Sequence, residues 1–156
     1  MGHLNEKMDY TVCVYIVHRR NILLHEHKKL HIWLPPGGHI ELDEDPNQAA
    51  IREAKEETGL DIELVGEARE YPGSPYGSRD LIPPRFLNKH FYDTTHTHEH
   101  VNLAFFARAR SADAKHEIDG MEIRWFSREE LADPQYAIVP DVQHHARTAL
   151  DELCEV

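Results

Sequence analysis

Three glutamates, Glu53, Glu56 and Glu57, stand at i, i+3 and i+4 of one segment. On a helix that spacing sends all three side chains to one face. Like charges so placed destabilise a helix, and near its C-terminal end the macrodipole disfavours anions as well. A divalent cation among the carboxylates removes both costs. Oxygen-only donors select a hard ion, Mg²⁺ or alternatively Mn²⁺. Arg52 can pair with Glu56 at i+4 and so orient a carboxylate. Upstream, Gly37-Gly38 lets the backbone approach a metal or phosphate closely. Glu44 adds a carboxylate at the helix entrance. The plain alternative is a solvated acidic helix face.

The elements that must position these groups are partly readable. A helix is expected over 45–58: Asp45 is a good N-cap, Pro46 fits the first turn, and Gln48 completes a capping box. Ala49, Ala50, Ile51 and Ala54 supply its apolar side, and Gly59 stops it. Residues 8–18 and 22–27 read as a hairpin across Arg19-Arg20-Asn21. Trp33-Leu34 is a short apolar piece that ends in the Pro35-Pro36-Gly37-Gly38 loop. Strands are expected at 61–71, 86–93, 101–109 and 121–126, a short helix after Ser127, and a C-terminal helix over 137–153. The Pro- and Gly-rich stretch from 72 is long and irregular, which favours a functional loop. Strands interleaved with helices imply an α/β (α+β) fold, one domain over 1–156.

Composition narrows the chemistry. The 156 residues carry a formal net charge of −11. That excludes a general binder of long nucleic acids or membrane surfaces, which needs a positive field. An anionic substrate would require a local inversion of sign, which a bound metal supplies. No apolar run has the length of a membrane span, and the N-terminal segment lacks the apolar core of a signal peptide. Cys13 and Cys154 make no disulfide framework, so the expected location is the reducing cytoplasm, with Cys13 in the core.

The segment Gly38, five residues, Glu44, seven residues, Arg52-Glu53-Ala54-Lys55-Glu56-Glu57-Thr58-Gly59-Leu60 resembles the Nudix box, G-x5-E-x7-R-E-U-x-E-E-x-G-U, where U is a bulky aliphatic residue. All seven fixed positions match, while Ala54 is a small version of the first U. The resemblance implies a mixed sheet sandwiched between helices. It implies Mg²⁺-dependent hydrolysis of a nucleoside diphosphate linked to another moiety, such as ADP-ribose or a nucleotide sugar. By position, Glu56 and Glu57 resemble metal ligands and Glu53 a ligand or the base that activates water. The Gly38 carbonyl resembles a further ligand, Arg52 the residue that positions a glutamate, and Glu44 a structural carboxylate. A homodimer is compatible with the resemblance. Other readings are a house-cleaning nucleoside triphosphatase, a dinucleoside polyphosphate hydrolase and a nucleotide-sensing module without turnover.

An extra glutamate from a later loop serves some Nudix enzymes as base or ligand. Glu99, Glu117 and Glu122 are the candidates here, Glu99 first because it precedes an apolar strand. His96, His98 and His100 would share one face of an extended segment, suited to Zn²⁺ or Ni²⁺, to substrate phosphate, or to a plain polar strand end. His39 lies beside Gly38 and within reach of substrate, and His144-His145 reads as surface. Tyr76, Arg79, Arg85 and Lys89 offer stacking and phosphate contacts from the 72–90 loop. Pro75 lies where a proline marks ADP-ribose enzymes of the family, and Tyr76 near a tyrosine of the dinucleoside polyphosphate group.

Overall fold

A computed structural model describes residues 5–154. The expected domain ends at 1 and 156, and the first four residues of the N-terminal segment, lie outside them. The long first strand, β1 (Met8–His18), turns tightly into β2 (Asn21–His27), pairing Val17 with Ile22 and His18 with Asn21. β3 (Ile32–Leu34) returns along β2. β4 (Gly37–His39) pairs antiparallel with β1, although the preceding prolines read as a loop.

Helix α1 (Pro46–Thr58) begins as expected. Asp45 accepts from the Gln48 amide at 2.9 Å while the Gln48 side chain accepts from the Asp45 amide at 2.9 Å. Gly59, at φ 71°, closes it in the left-handed region. Ala49, Ala50 and Ala54 face the sheet, but Ile51 does not; it is exposed. At 100° per residue it sits one step round from the Ala50–Ala54 row, and Glu53 and Thr58 complete the buried side instead.

The expected strand over 61–71 shortens to β5 (Ile62–Leu64), and the following loop forms its own small hairpin, β6 (Arg69–Glu70) with β7 (Arg79–Asp80). β8 (Phe86–Phe91) and β9 (Glu99–Ala109) pair antiparallel, and β10 (Ile123–Phe126) covers β2. A 3₁₀ turn, Glu130–Ala132, follows Ser127, and α2 (Pro140–Leu153) ends the described chain.

The main sheet runs β10-β2-β1-β9-β5, with β3, β4 and β8 on its flanks. Its centre is the parallel pair β1–β9, from Met8–Glu99 to Val17–Arg108, among otherwise antiparallel neighbours. Alternation along β1 divides the core. Val12, Val14 and Ile16 pack with the alanines of α1. Cys13, Tyr15 and Val17 pack with Val142, Ala146 and Leu150 of α2. The sheet is therefore sandwiched between two helices. Cys13 is a core residue whose thiol burial pushes up to about 12. His145 is buried too, stacked on Phe86 at 4.0 Å and 3.2 Å from the Tyr15 hydroxyl; His144 alone of the pair is exposed. Among the described residues no helix is long and apolar enough to cross a membrane.

Candidate functional site

The capped helix, with β4 laid against it, gathers the acidic groups. Gly38 carries no Cβ, and one placed there would lie 2.2 Å from Glu53 Oε1. Glu53 is thereby seated against the β4 backbone, almost wholly buried. Gly37, one residue earlier, donates its amide to Glu57 Oε2 at 2.9 Å. Two successive glycines thus fix two of the three helix carboxylates.

Arg52 binds the others together. Nε and Nη2 reach the two oxygens of Glu44 at 2.9 and 2.6 Å, a bidentate fork. Nη1 donates to Glu53 at 2.9 Å and to Glu56 at 3.1 Å, the expected i+4 pair. Nη2 also reaches the His39 carbonyl at 3.1 Å, tying the helix to β4. The Arg52 bond holds Glu44 below the ordinary carboxylate range, and Arg52 stays firmly protonated.

One guanidinium therefore holds three carboxyls, with Glu57 beside them on the Gly37 amide. Burial pushes the Glu53 carboxyl up, against the pull of Arg52. Glu57 rises further, to about 7: burial is the largest cause, and Glu53, Glu117 and Glu56 add to it against the Gly37 amide. His25 Nε2 lies 3.7 Å from Glu57 Oε2, and burial together with the neighbouring His116 pushes His25 down, towards the neutral ring. Excess negative charge, held on preformed oxygens and only partly compensated, fits a hard divalent cation. Glu53, Glu56, Glu57 and the Gly38 carbonyl are the groups that could hold it.

The other expected site residues are dispersed. Glu99 pairs with Lys89 at 2.8 Å. Glu122 offers its carbonyl to the Glu26 amide. Glu117 is the later glutamate whose charge reaches Glu57. Tyr76 is 94% exposed. Arg79 pairs with Asp45 at the start of α1, at 3.3 Å. Arg85 forks onto Glu152 of α2 and lies 4.8 Å over the Phe86 ring. The His39 ring meets Asp9 at 3.2 Å. His96 does not continue the row of His98 and His100; it sits in a turn at φ 56° and stacks on Phe91 at 4.3 Å. Sequence reading overlooked His25 and His116, which carry no local spacing signal and meet only through the fold.

The chain is similar to known proteins in sequence and fold. Residues 7–147 match the NUDIX domain family. A NUDIX-family hydrolase from Clostridium perfringens has a TM-score of 0.82 and is 34% identical, covering 96% of this chain and 99% of that one. The m7GpppN-mRNA hydrolase NUDT17 of Xenopus laevis is 41% identical over 59 residues, 35% of this chain and 20% of that protein. The asymmetrical bis(5'-nucleosyl)-tetraphosphatase of Rattus norvegicus is 36% identical over 72 residues, 44% of this chain and 45% of that protein. The chain thus matches less than half the length of either of these two curated relatives. With the box on a capped helix, the mixed sheet between two helices and a family match along nearly the whole chain, this protein belongs to the NUDIX family.

Proposed function

We propose that this chain is a Mg²⁺-dependent hydrolase that cleaves a phosphoanhydride bond in a nucleoside diphosphate linked to another moiety. The observation that carries the reading is the cluster of three carboxyls around Arg52 with Glu57 beside it on the Gly37 amide, and Gly38 packed against Glu53. Its oxygen donors suit Mg²⁺, with Mn²⁺ an allowed substitute. Two relatives named for attack on phosphate chains, the m7GpppN-mRNA hydrolase and the bis(5'-nucleosyl)-tetraphosphatase, support it.

Mg²⁺, when bound, supplies positive charge that screens the phosphates and eases attack by water. The chain's own groups do the positioning. Gly37 aims Glu57, Arg52 holds Glu53 and Glu56, and the bidentate Glu44 keeps Arg52 from rotating. Glu53 or Glu117 accepts a proton from the attacking water. From the 72–90 loop, Arg79, paired with Asp45 at the start of α1, and the exposed Tyr76 offer a cation and a ring to substrate, whereas Arg85 is held by Glu152 of α2 and the His39 ring by Asp9.

A hydrolysis screen that resolves the nucleotide products, run over nucleotide sugars including ADP-ribose, nucleoside triphosphates and dinucleoside polyphosphates, with and without Mg²⁺, tests the reading. The expected result is strictly Mg²⁺-dependent cleavage into two phosphomonoesters, fastest for a nucleoside diphosphate linked to a sugar or a second nucleoside. Metal-independent turnover would overturn the mechanism, and a preference for triphosphates would overturn the substrate class.

The raised Glu57 carboxyl gives a second expectation. Its folded value, about 7, lies above the ordinary 4.5. Such a group contributes stability below the ordinary value and loses it as pH rises through the folded one. Metal-free protein should therefore lose stability between about pH 4.5 and 7 through this group, by at most ~3 kcal/mol. Metal binds the ionised form, so stabilisation by Mg²⁺ should grow across the same window. Thermal melts of wild type and Glu57→Gln with and without chelator isolate the effect. Equal pH slopes in the two metal-free proteins would refute it.

A further inference from the structure

The opposite face of the sheet carries a second donor cluster. Asp9 on β1, His98 just before β9 and His100 at its start are all buried, and one ligand atom from each lies within 4.8 Å of the others. The parallel register makes the cluster, because Asp9 opposes His100 directly. Asp9 is in phase with Cys13 and Tyr15, which pack under α2. Gly38 pairs with Val12 and faces Glu53 of α1, whereas His39 pairs with Thr11 and turns to Asp9. The cluster and the glutamates are therefore on different faces of the sheet.

The cluster's geometry suits a cation. The Glu6 carbonyl can only accept, so His98 Nδ1, 3.2 Å away, carries the hydrogen. Nε2 of the same ring lies 3.2 Å from Asp9 Oδ2, where the nitrogen either donates its own hydrogen or, once bare, shares a cation with the carboxylate. His39 Nε2 meets the same oxygen at 3.2 Å. Asp9 Oδ1 is held by the Asn5 backbone and side-chain amides at 2.8 and 3.1 Å, which leaves Oδ2 aimed at the imidazoles. A ligating histidine commonly gives its other N–H to a backbone carbonyl, which fixes the tautomer and aims the bare nitrogen at the metal.

We propose that Asp9, His98 and His100 bind a borderline divalent ion of the Zn²⁺ class at a site separate from the glutamates. Two imidazoles and a carboxylate suit Zn²⁺, whereas Mg²⁺ prefers oxygen alone. Such an ion ties the start of β1 to the start of β9. It also braces His39, whose carbonyl takes Arg52.

The test strips untagged protein with a chelator and titrates Zn²⁺ against a competing chromophoric chelator in excess Mg²⁺. The expected result is about one tightly held Zn²⁺ per chain. His98→Gln and His100→Gln should each weaken it by more than about 100-fold, beyond the loss of an outer partner. Glu56→Gln on the other face and His144→Gln on the surface should bind as wild type. Long-range ¹⁵N–¹H spectra of wild type, in which Zn²⁺ should shift His98 Nε2, read the site even where a variant fails to fold. Absence of bound Zn²⁺, or undiminished binding by His98→Gln, would overturn the site. So would a doubly protonated His98 that Zn²⁺ leaves undisturbed, since the contact would then be an Asp9–imidazolium pair.

Discussion

Glu56→Gln should lower turnover by about 10³-fold while leaving the protein folded. The substitution keeps the side chain's shape and a carbonyl oxygen for Arg52 Nη1, which donates to Glu56 at 3.1 Å. It removes only the negative charge. A metal's stabilisation of a phosphoryl transition state is worth several kcal/mol, and ~4 kcal/mol corresponds to a factor of ~10³. The stability effect runs the other way. Glu53 and Glu57 lie at i−3 and i+1 of Glu56, so loss of its charge relieves repulsion in a segment the macrodipole already disfavours for anions. A melting temperature unchanged or slightly raised, with turnover collapsed and the Mg²⁺ requirement shifted to higher concentration, separates a metal-holding role from a structural one. Turnover at the wild-type level would remove Glu56 from the site.

What could be read before the fold was known follows the reach of each signal. Helix α1 was readable because its capping box, its Pro46 start and its Gly59 stop all lie within 15 residues. β1 was readable because both of its faces are buried and its residues are β-branched or aromatic. The helix departs from its apolar pattern at Ile51, where the 100° step per residue turns an apolar side chain outward. β4 was hidden, since Gly37 and Gly38 look like loop residues and their strand role comes from pairing with Cys13 and Val12. The functional cluster divides in the same way. Glu44, Arg52, Glu53, Glu56 and Glu57 share one helix and its entrance, so fixed spacing exposes them. Glu117 and His25 reach Glu57 only through tertiary packing. The histidine row shows both cases: alternation links His98 with His100, but the turn at His96 breaks the row, and Asp9 arrives from the parallel neighbour about 90 residues earlier in the chain.

Gly38→Ala should abolish most activity without unfolding the chain, whereas Gly37→Ala should unfold it. The two glycines are neighbours on one short strand, and the difference lies in what a methyl group would strike. At Gly38 the added carbon falls 2.2 Å from Glu53 Oε1 and 2.5 Å from its Cδ. Those atoms are the end of a side chain, which can swing away at modest cost. In swinging, Glu53 gives up its 2.9 Å bond from Arg52 and its seat against the β4 backbone. Misplacement of a positioning group by about 1 Å can cost ~10²-fold in rate, so a loss of that size or more is expected. At Gly37 the added carbon meets the Val12 carbonyl oxygen at 2.2 Å and Cys13 Cα at 2.8 Å. Both are backbone atoms of the central strand, so relief requires separating β4 from β1, and the Gly37 amide then leaves Glu57 as well. Glu53→Asp offers an internal check, because the shorter carboxylate withdraws from the methyl. Combined with Gly38→Ala, it should cost less than the two single losses together, the coupling expected of groups in contact. Additive losses, or a Gly38→Ala enzyme with wild-type turnover, would show that Glu53 need not sit where Gly38 admits it.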